Sequence, residues 1–262
     1  PPSRSRKSAA LATTTPHRLN CWLHYTGCQA DWLPPAPHQA RISLVASKDK
    51  TDRDTHTLAT GLTAAPALLC STAIYGANAS GKSNLIKAMQ YMRAVVAESA
   101  TVIQPGQMFG VQPFRLDKDS VTQPTEFEVT FILEGVRYQY GFAMTPQRIV
   151  REHLLVYKAF KPQRWFERHF DPEAGKDVYE FGTGLKGPKN LWEGATRPNA
   201  LFLSMAVQLN SEALKPVFDW FINHLVILNE QVRLTPDQAR KESLARISVD
   251  GGDTRVVISL RK

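Results

Sequence analysis

Between Tyr75 and Asn84 the chain reads Gly76-Ala77-Asn78-Ala79-Ser80-Gly81-Lys82-Ser83: a glycine, four residues, then Gly-Lys-Ser. Each residue type in that order suits contact with a phosphate chain. Gly76 lets the backbone turn sharply, and Gly81 removes a Cβ where main chain must come close to an oxygen. Backbone N–H groups from Asn78 to Ser83 can converge on an anion, and the positive end of a following helix adds to their field. Lys82 brings a point charge to the β and γ phosphates, and the Ser83 hydroxyl can ligate Mg²⁺. The predicted chemistry is binding of a nucleoside triphosphate with magnesium, with Asn84 closing the cradle.

Such a loop works only between a strand and a helix. Leu68–Tyr75 is mostly apolar or β-branched and stops at Gly76, the pattern of a buried strand. From Lys82 onward Leu85, Ile86, Met89, Met92, Val95 and Val96 recur at helical spacing, which predicts a helix of about four turns. The strand–loop–helix unit thus spans 68–98. Upstream, Ile42–Ala46 reads as a short strand, followed by a polar linker over 48–54.

Between 113 and 182 the texture is β. Thr125–Leu133 alternates, Glu134-Gly135 turns the chain, and Val136–Phe142 alternates again, as a hairpin does. Stretches 148–157, 165–170 and 178–181 continue it as an antiparallel meander. Phe127, Phe131, Tyr138, Tyr140 and Phe142 could stack on bases, but alternation favours a role in the core. Residues 199–247 return to helical spacing in runs 199–210 and 211–229, with a capped start at Thr235-Pro236-Asp237. A final strand covers 255–260.

Composition is that of a globular protein, with 43% hydrophobic and 21% charged residues. No apolar run approaches the roughly 20 residues that span a bilayer, so the expectation is a cytoplasmic protein with no membrane partner. The net charge of +8 makes nucleic acid a candidate partner. Three cysteines, Cys21, Cys28 and Cys70, do not make a disulfide framework. Residues 1–40 are proline-rich and hold a single acid, Asp31; they read as irregular or disordered. Cys21, His24 and Cys28 lie there, yet zinc sites usually take ligands in paired spacings and no second pair follows. The ordered domain is expected over 41–262.

The stretch Ile74-Tyr-Gly-Ala-Asn-Ala-Ser-Gly-Lys-Ser-Asn-Leu-Ile-Lys-Ala88 resembles the P-loop of ABC-type ATPases related to SMC and OLD proteins. It is most similar to the bacterial AAA-type, ATP-binding family found in phage-defence loci. Ile42–Ser47, Pro113–Asp117, the hairpin at Gly135 and Asn199-Ala-Leu-Phe-Leu-Ser204 are similar too, so the resemblance runs from about Ile42 to the C-terminus. It implies an α/β P-loop NTPase: an ABC-ATPase-like core with an inserted antiparallel β arm and the start of a helical lobe. It implies ATP and Mg²⁺ at Gly76–Asn84, with Lys82 and Gln208 as catalytic residues. Ser83 and Gln208 would meet the metal, since such ATPases place a glutamine where core meets lobe. In that family ATP is sandwiched between two heads, implying a homodimer.

Two departures bear on this reading. An Asn-Phe-Arg-Ser-like first strand is replaced by Ala30–His38, which suggests a wrong start or a shifted frame. The chain also reaches Lys262 without a signature motif or an apolar run ending in Asp-Glu, as an incomplete head would. Three function classes follow: an ATPase part whose hydrolysis drives an attached, DNA-directed defence activity; a nucleotide-dependent binding or assembly module without turnover; and a small P-loop kinase or GTPase. The long meander disfavours the third, whose folds continue directly in βα units.

Overall fold

The computed structural model describes residues 22–26, 39–48, 53–70, 72, 74, 82–111, 123–158, 161–228 and 256–259. Strands β1 (Trp22–Thr26) and β2 (Gln39–Ser43) come first, then one helical turn α1 (Arg53–His56), β3 (Thr57–Ala59) and β4 (Ala67–Leu69). Helix α2 (Lys82–Glu98) precedes the meander β5 (Thr125–Leu133), β6 (Val136–Met144), β7 (Ile149–Tyr157), β8 (Gln163–Asp171) and β9 (Lys176–Phe181). Short helices α3 (Lys189–Ala195), α4 (Phe202–Gln208) and α5 (Lys215–Asp219) follow, then a π turn (Trp220–His224), β10 (Leu225–Leu228) and β11 (Val256–Ser259).

The main sheet has seven strands in the order β2-β1-β5-β6-β7-β8-β9, and every pairing in it is antiparallel. Alternation in sequence makes the meander, and its first turn shows how. Glu134 and Gly135 have φ of 50° and 74°, the left-handed pair that a two-residue hairpin turn of matching twist requires. One face of the sheet carries Phe127, Val129, Phe131, Tyr138, Tyr140, Phe142, Leu154, Val156 and Phe166, all buried. The aromatics therefore form core: Phe131 stacks on Trp220 at 4.1 Å and Phe127 lies 5.2 Å from Phe142. Onto this face pack Met89, Met92, Val95 and Val96 of α2 and the helices after β9.

The sequence expectations hold for α2, for the meander and for the strand near 255–260, seen as β11 paired parallel with β10. Four others are corrected. Residues 1–40, read as irregular, contribute β1 and the start of β2, and β1 lies between β2 and β5. Trp-Leu-His-Tyr-Thr is a good strand sequence, hidden among prolines. The strand expected over Ile42–Ala46 lies at Gln39–Ser43, because the chain changes sheets at Leu44. There Leu69 N donates to Leu44 O (2.7 Å) and Ala46 N to Ala67 O (3.0 Å).

The long buried strand Leu68–Tyr75 is cut to Ala67–Leu69, with Thr72 and Ile74 exposed. Its partner β3 begins at Thr57, where α1 ends, so the ladder runs out beside Leu69. The helical run 211–229 gives way at Leu225, where a Leu-Val-Ile-Leu stretch becomes β10. The helix start at Thr235 lies outside the described residues. The architecture is a mixed α and β fold, and the antiparallel strands expected over 113–182 lie in its main sheet.

Candidate nucleotide-binding site

The cradle residues Gly76, Ala77, Asn78, Ala79, Ser80 and Gly81 lie outside the described residues; Lys82 and Ser83 are the first two residues of α2. What surrounds them is clear. Leu68 of β4 sits in a small cluster with Ala65 and Ile132, and Ile132 alternates with core-facing Phe131, so it points to the opposite face of the main sheet. Helix α2 covers the core face. Leu68 and α2 thus pack against opposite faces of the main sheet.

Helix α2 is 17 residues long with no acid in its first turn, about 25 Å of aligned peptide dipoles. A carboxylate there would compete with phosphate for the free N–H groups. Its apolar stripe is seated on the sheet, with Tyr91 stacked on Phe127 at 5.9 Å. Its C-terminal half is tied to the lobe. Arg93 donates from Nε to Phe221 O (2.9 Å) and from Nη2 to Ile222 O (3.1 Å), carbonyls of the π turn. Ser204 Oγ donates to Val96 O (2.6 Å), and Leu201 N to Ser99 Oγ (3.2 Å).

The segment Arg197–Ser204, which carries the Asn-Ala-Leu-Phe-Leu-Ser stretch, is held by buried charges. Glu152 and Arg168 face each other across β7 and β8, both fully buried. Glu152 accepts from Phe202 N (2.7 Å), Leu203 N (3.0 Å) and Tyr140 Oη (3.0 Å). It thus serves the first two N–H groups of α4, whose own cap residue Leu201 has no side-chain acceptor. Arg168 donates to Ala200 O (2.6 Å), Arg197 O (3.1 Å) and Asp177 (2.8 Å). Burial pushes the Glu152 carboxyl up, while Arg168 and the hydrogen bonds pull it down; the balance stays raised. Asn199 Nδ2 donates to Gln104 O and Gln107 O, fixing the loop that follows α2.

Comparison with known families supplies the deciding observation. The family described as "AAA domain, putative AbiEii toxin, Type IV TA system" matches residues 71–231, well over half of the chain and all of the glycine-rich loop. The chain belongs to this AAA family. It is accordingly a nucleotide-binding domain of the ATPase class. No curated protein and no solved structure matches it. Among the described residues no helix of this AAA domain is long and apolar enough to cross a membrane.

Lys82, Ser83 and Asn84 share the first turn of α2; Gln208 lies on another helix, α4. Gln208 is exposed at the end of α4. Ser204 sits at Val96, and 13 residues of helix, about 20 Å, separate Val96 from Ser83. Helix α4 is anchored near the C-terminal end of α2 through Ser204 and Leu201. Sequence reasoning passed over Arg93, Glu152, Arg168 and Asn199. Strand parity could have found two of them: Glu152 shares its face with Leu154 and Val156, and Arg168 shares its face with Phe166.

Proposed function

We propose that this chain binds Mg²⁺–ATP at Gly76–Asn84 and forms the ATP-binding part of an ABC-type, SMC/OLD-like head. Binding and hydrolysis would drive an attached activity, as a DNA-directed defence system or a toxin of the family's description requires. The observation that carries the reading is one placement: a Gly-x4-Gly-Lys-Ser loop entering the acid-free first turn of a long helix, inside the matched region. Lys82 meets the β and γ phosphates and Ser83 the magnesium. A second head completes the site across a homodimer, in the cytoplasm, and the +8 charge suits a nucleic-acid partner. Gln208 would need to travel towards Ser83 as the lobe closes.

A nucleotide-dependent binding or assembly module without turnover is the second reading. Phosphoryl transfer needs groups that organise magnesium and orient water, and losing such help costs about 10³-fold or more. Titration of the chain with fluorescent ATP, followed by phosphate release, separates the readings. Saturable, Lys82-dependent binding supports both. Turnover abolished by Lys82→Ala selects the ATPase, turnover at background selects the module, and absent binding removes both.

A further inference from the structure

We propose that one end of the main sheet is a contact surface for the phosphate backbone of duplex nucleic acid, formed by Lys158, Lys161, Lys186 and Lys189 and by a glycine-rich loop over 182–187. The topology gathers these groups. Strands β7, β8 and β9 are antiparallel neighbours, so the chain leaves β7, enters β8 and leaves β9 at one end of the sheet. Lys158 and Lys161 stand in the first of those connections, and Lys186 and Lys189 follow β9. Lys158, Lys161 and Lys186 are exposed, and among the described residues none of the four lysines makes an ion pair. Of the acids towards this end, Glu167 is held by Arg151 and Arg164, and Glu180 by Arg164 (2.7 Å). Glu134, in the β5–β6 turn, and Glu193, on α3, are left without a cation, two against four lysines. The turn at the opposite end of β8 carries Asp171, Glu173 and Lys176, with no excess of cations.

The loop Gly182-Thr183-Gly184-Leu185-Lys186-Gly187 adds uncharged donors. Gly182 N closes the β8–β9 ladder on Trp165 O (3.0 Å), and Lys189 N donates to Gly187 O (3.0 Å). Between them the amides of 183–187 find no acceptor among the described residues, and successive free amides in a turning backbone suit an anion. The loop is pressed flat. A Cβ on Gly184 would lie 2.5 Å from Trp165 Nε1, and one on Gly187, at φ 121°, would lie 2.2 Å from Trp192 Cη2. The Trp165 indole is 7% exposed, and its N–H, against Gly184, has no acceptor. Buried donors are nearly always matched, so this is a second unmatched donor at the same place.

A duplex backbone is the partner this surface fits. Its aromatic rings are not open to bases: Lys158 Nζ stands over the Trp165 ring at 5.8 Å, Lys189 Nζ over Phe181 at 5.7 Å, and the Arg137 guanidinium over Tyr157 at 3.6 Å. A single-strand surface offers such rings for stacking; here cations cover them, and lysine meets phosphate as a point charge. Strands lie about 4.8 Å apart, so β7 to β9 spans about 10 Å. About three phosphates of one duplex strand, at 3.4 Å each along the axis, occupy that length. Contacts of this kind position a duplex without reading its sequence. The proposal rests on the nucleic-acid partner proposed above and gives that partner a place on the molecule.

Fluorescence anisotropy of a labelled DNA duplex of about 20 base pairs, titrated with the full chain without nucleotide at about 50 to 200 mM salt, tests the surface. Saturable binding is expected, with log affinity falling against log salt at a slope of about −3, roughly −0.9 for each phosphate contact. Lys158→Ala with Lys161→Ala and Lys186→Ala should weaken binding about tenfold or more and remove most of that slope, about one unit per lysine. Arginine at the same three positions keeps the charge and should keep the binding. Lys176→Ala, at the opposite end of β9, should change nothing. Circular dichroism melts establish that each variant is folded. No binding at the lowest salt would overturn the proposal, as would a triple alanine variant with the parent's affinity and slope, or tighter binding to a single strand of equal length. Nucleotide binding is titrated separately. A chain that binds Mg²⁺–ATP but no duplex overturns this surface and leaves the cradle standing; one that binds duplex through these lysines but no nucleotide does the reverse.

Discussion

The two ends of α2 are built for opposite purposes. At its start the helix leaves its first N–H groups to a glycine-rich loop, brings Lys82 and Ser83, and has no acid in the first turn. At its other end nearly every group is committed: Arg93 to the π turn, Val96 O to Ser204, Ser99 Oγ to Leu201 N, and Ser99 O to Arg197 (3.1 Å). One end can answer to a ligand; the other is fastened to the segment that buried Glu152 and Arg168 hold. Substitutions at the fastened end should therefore change stability and leave nucleotide affinity alone, and those at the loop end should do the reverse.

The largest effect belongs to the fastened end. Glu152→Ala removes the acceptor for two α4 N–H groups and leaves the Arg168 guanidinium without its counter-charge, a loss of about 3–5 kcal/mol for a broken buried pair. Urea unfolding should show it as a lower midpoint, while the folded fraction binds nucleotide as before. The pH dependence has a definite sign. Burial raises Glu152 above its ordinary value of 4.5, so its favourable contribution is complete below that value and is lost as pH rises through the raised one. Glu152→Gln should flatten that part of the stability profile, and a profile identical to the parent's would show that the carboxyl does not titrate with folding.

Next comes Lys82→Ala at the loop end. Charge-assisted contacts to phosphate are worth roughly 1.5–3 kcal/mol each, so the dissociation constant for Mg²⁺–ATP should rise about tenfold or more. The urea midpoint should not move. An unchanged dissociation constant would take the phosphate site away from this loop, and a large fall in stability would dissolve the contrast between the two ends.

How much of this contrast was legible in the sequence depended on the range of the interactions. Period and turn chemistry are local, so α2, the hairpin at Glu134-Gly135 and the whole meander could be read from neighbouring residues. The glycine-rich loop before α2 is likewise a local signal, because a phosphate cradle is written in consecutive residues. The fastening could not be read in the same way. Arg93 meets Phe221 across 128 positions and Glu152 meets Phe202 across 50, and no local pattern specifies such partners. Strand β4 failed for a related reason: its apolar run promised eight residues of ladder, but a ladder lasts only as long as its partner, and β3 is three residues long. β1 was obscured by its surroundings, since prolines on both sides outweighed five good strand residues.

A smaller effect sharpens the comparison from the middle of α2. Arg93→Ala removes two hydrogen bonds from a charged donor to π-turn carbonyls, worth about 1.5–3 kcal/mol each at most and less where the group is half-exposed. Stability should fall by less than in Glu152→Ala, because the carbonyls left behind can take water. If nucleotide affinity also changes, α2 transmits the lobe's position to the loop; if only the urea midpoint changes, Arg93 belongs wholly to the fastened end.

The smallest effect is expected at Gln208, and it bears on whether the lobe moves. Gln208 is exposed and ends α4; an exposed substitution away from caps and partners costs within about 0.5 kcal/mol, so Gln208→Ala should leave the urea midpoint unchanged. Its helix is anchored at the far end of α2 through Ser204 and Leu201, so the magnesium dependence of nucleotide binding should match the parent's. A head that closes on ATP would have to carry α4 towards the start of α2, against contacts that Ser204 and Leu201 make near its end. Those contacts cost free energy to break, so closure requires binding energy that a single chain with one phosphate cradle must find in the nucleotide alone. Magnesium titrations of nucleotide affinity in Gln208→Ala decide the point. A curve superimposable on the parent's keeps Gln208 outside the isolated site. A weaker magnesium dependence with unaltered stability would mean that the lobe does travel, and that the fastened end of α2 is released when the loop end is filled.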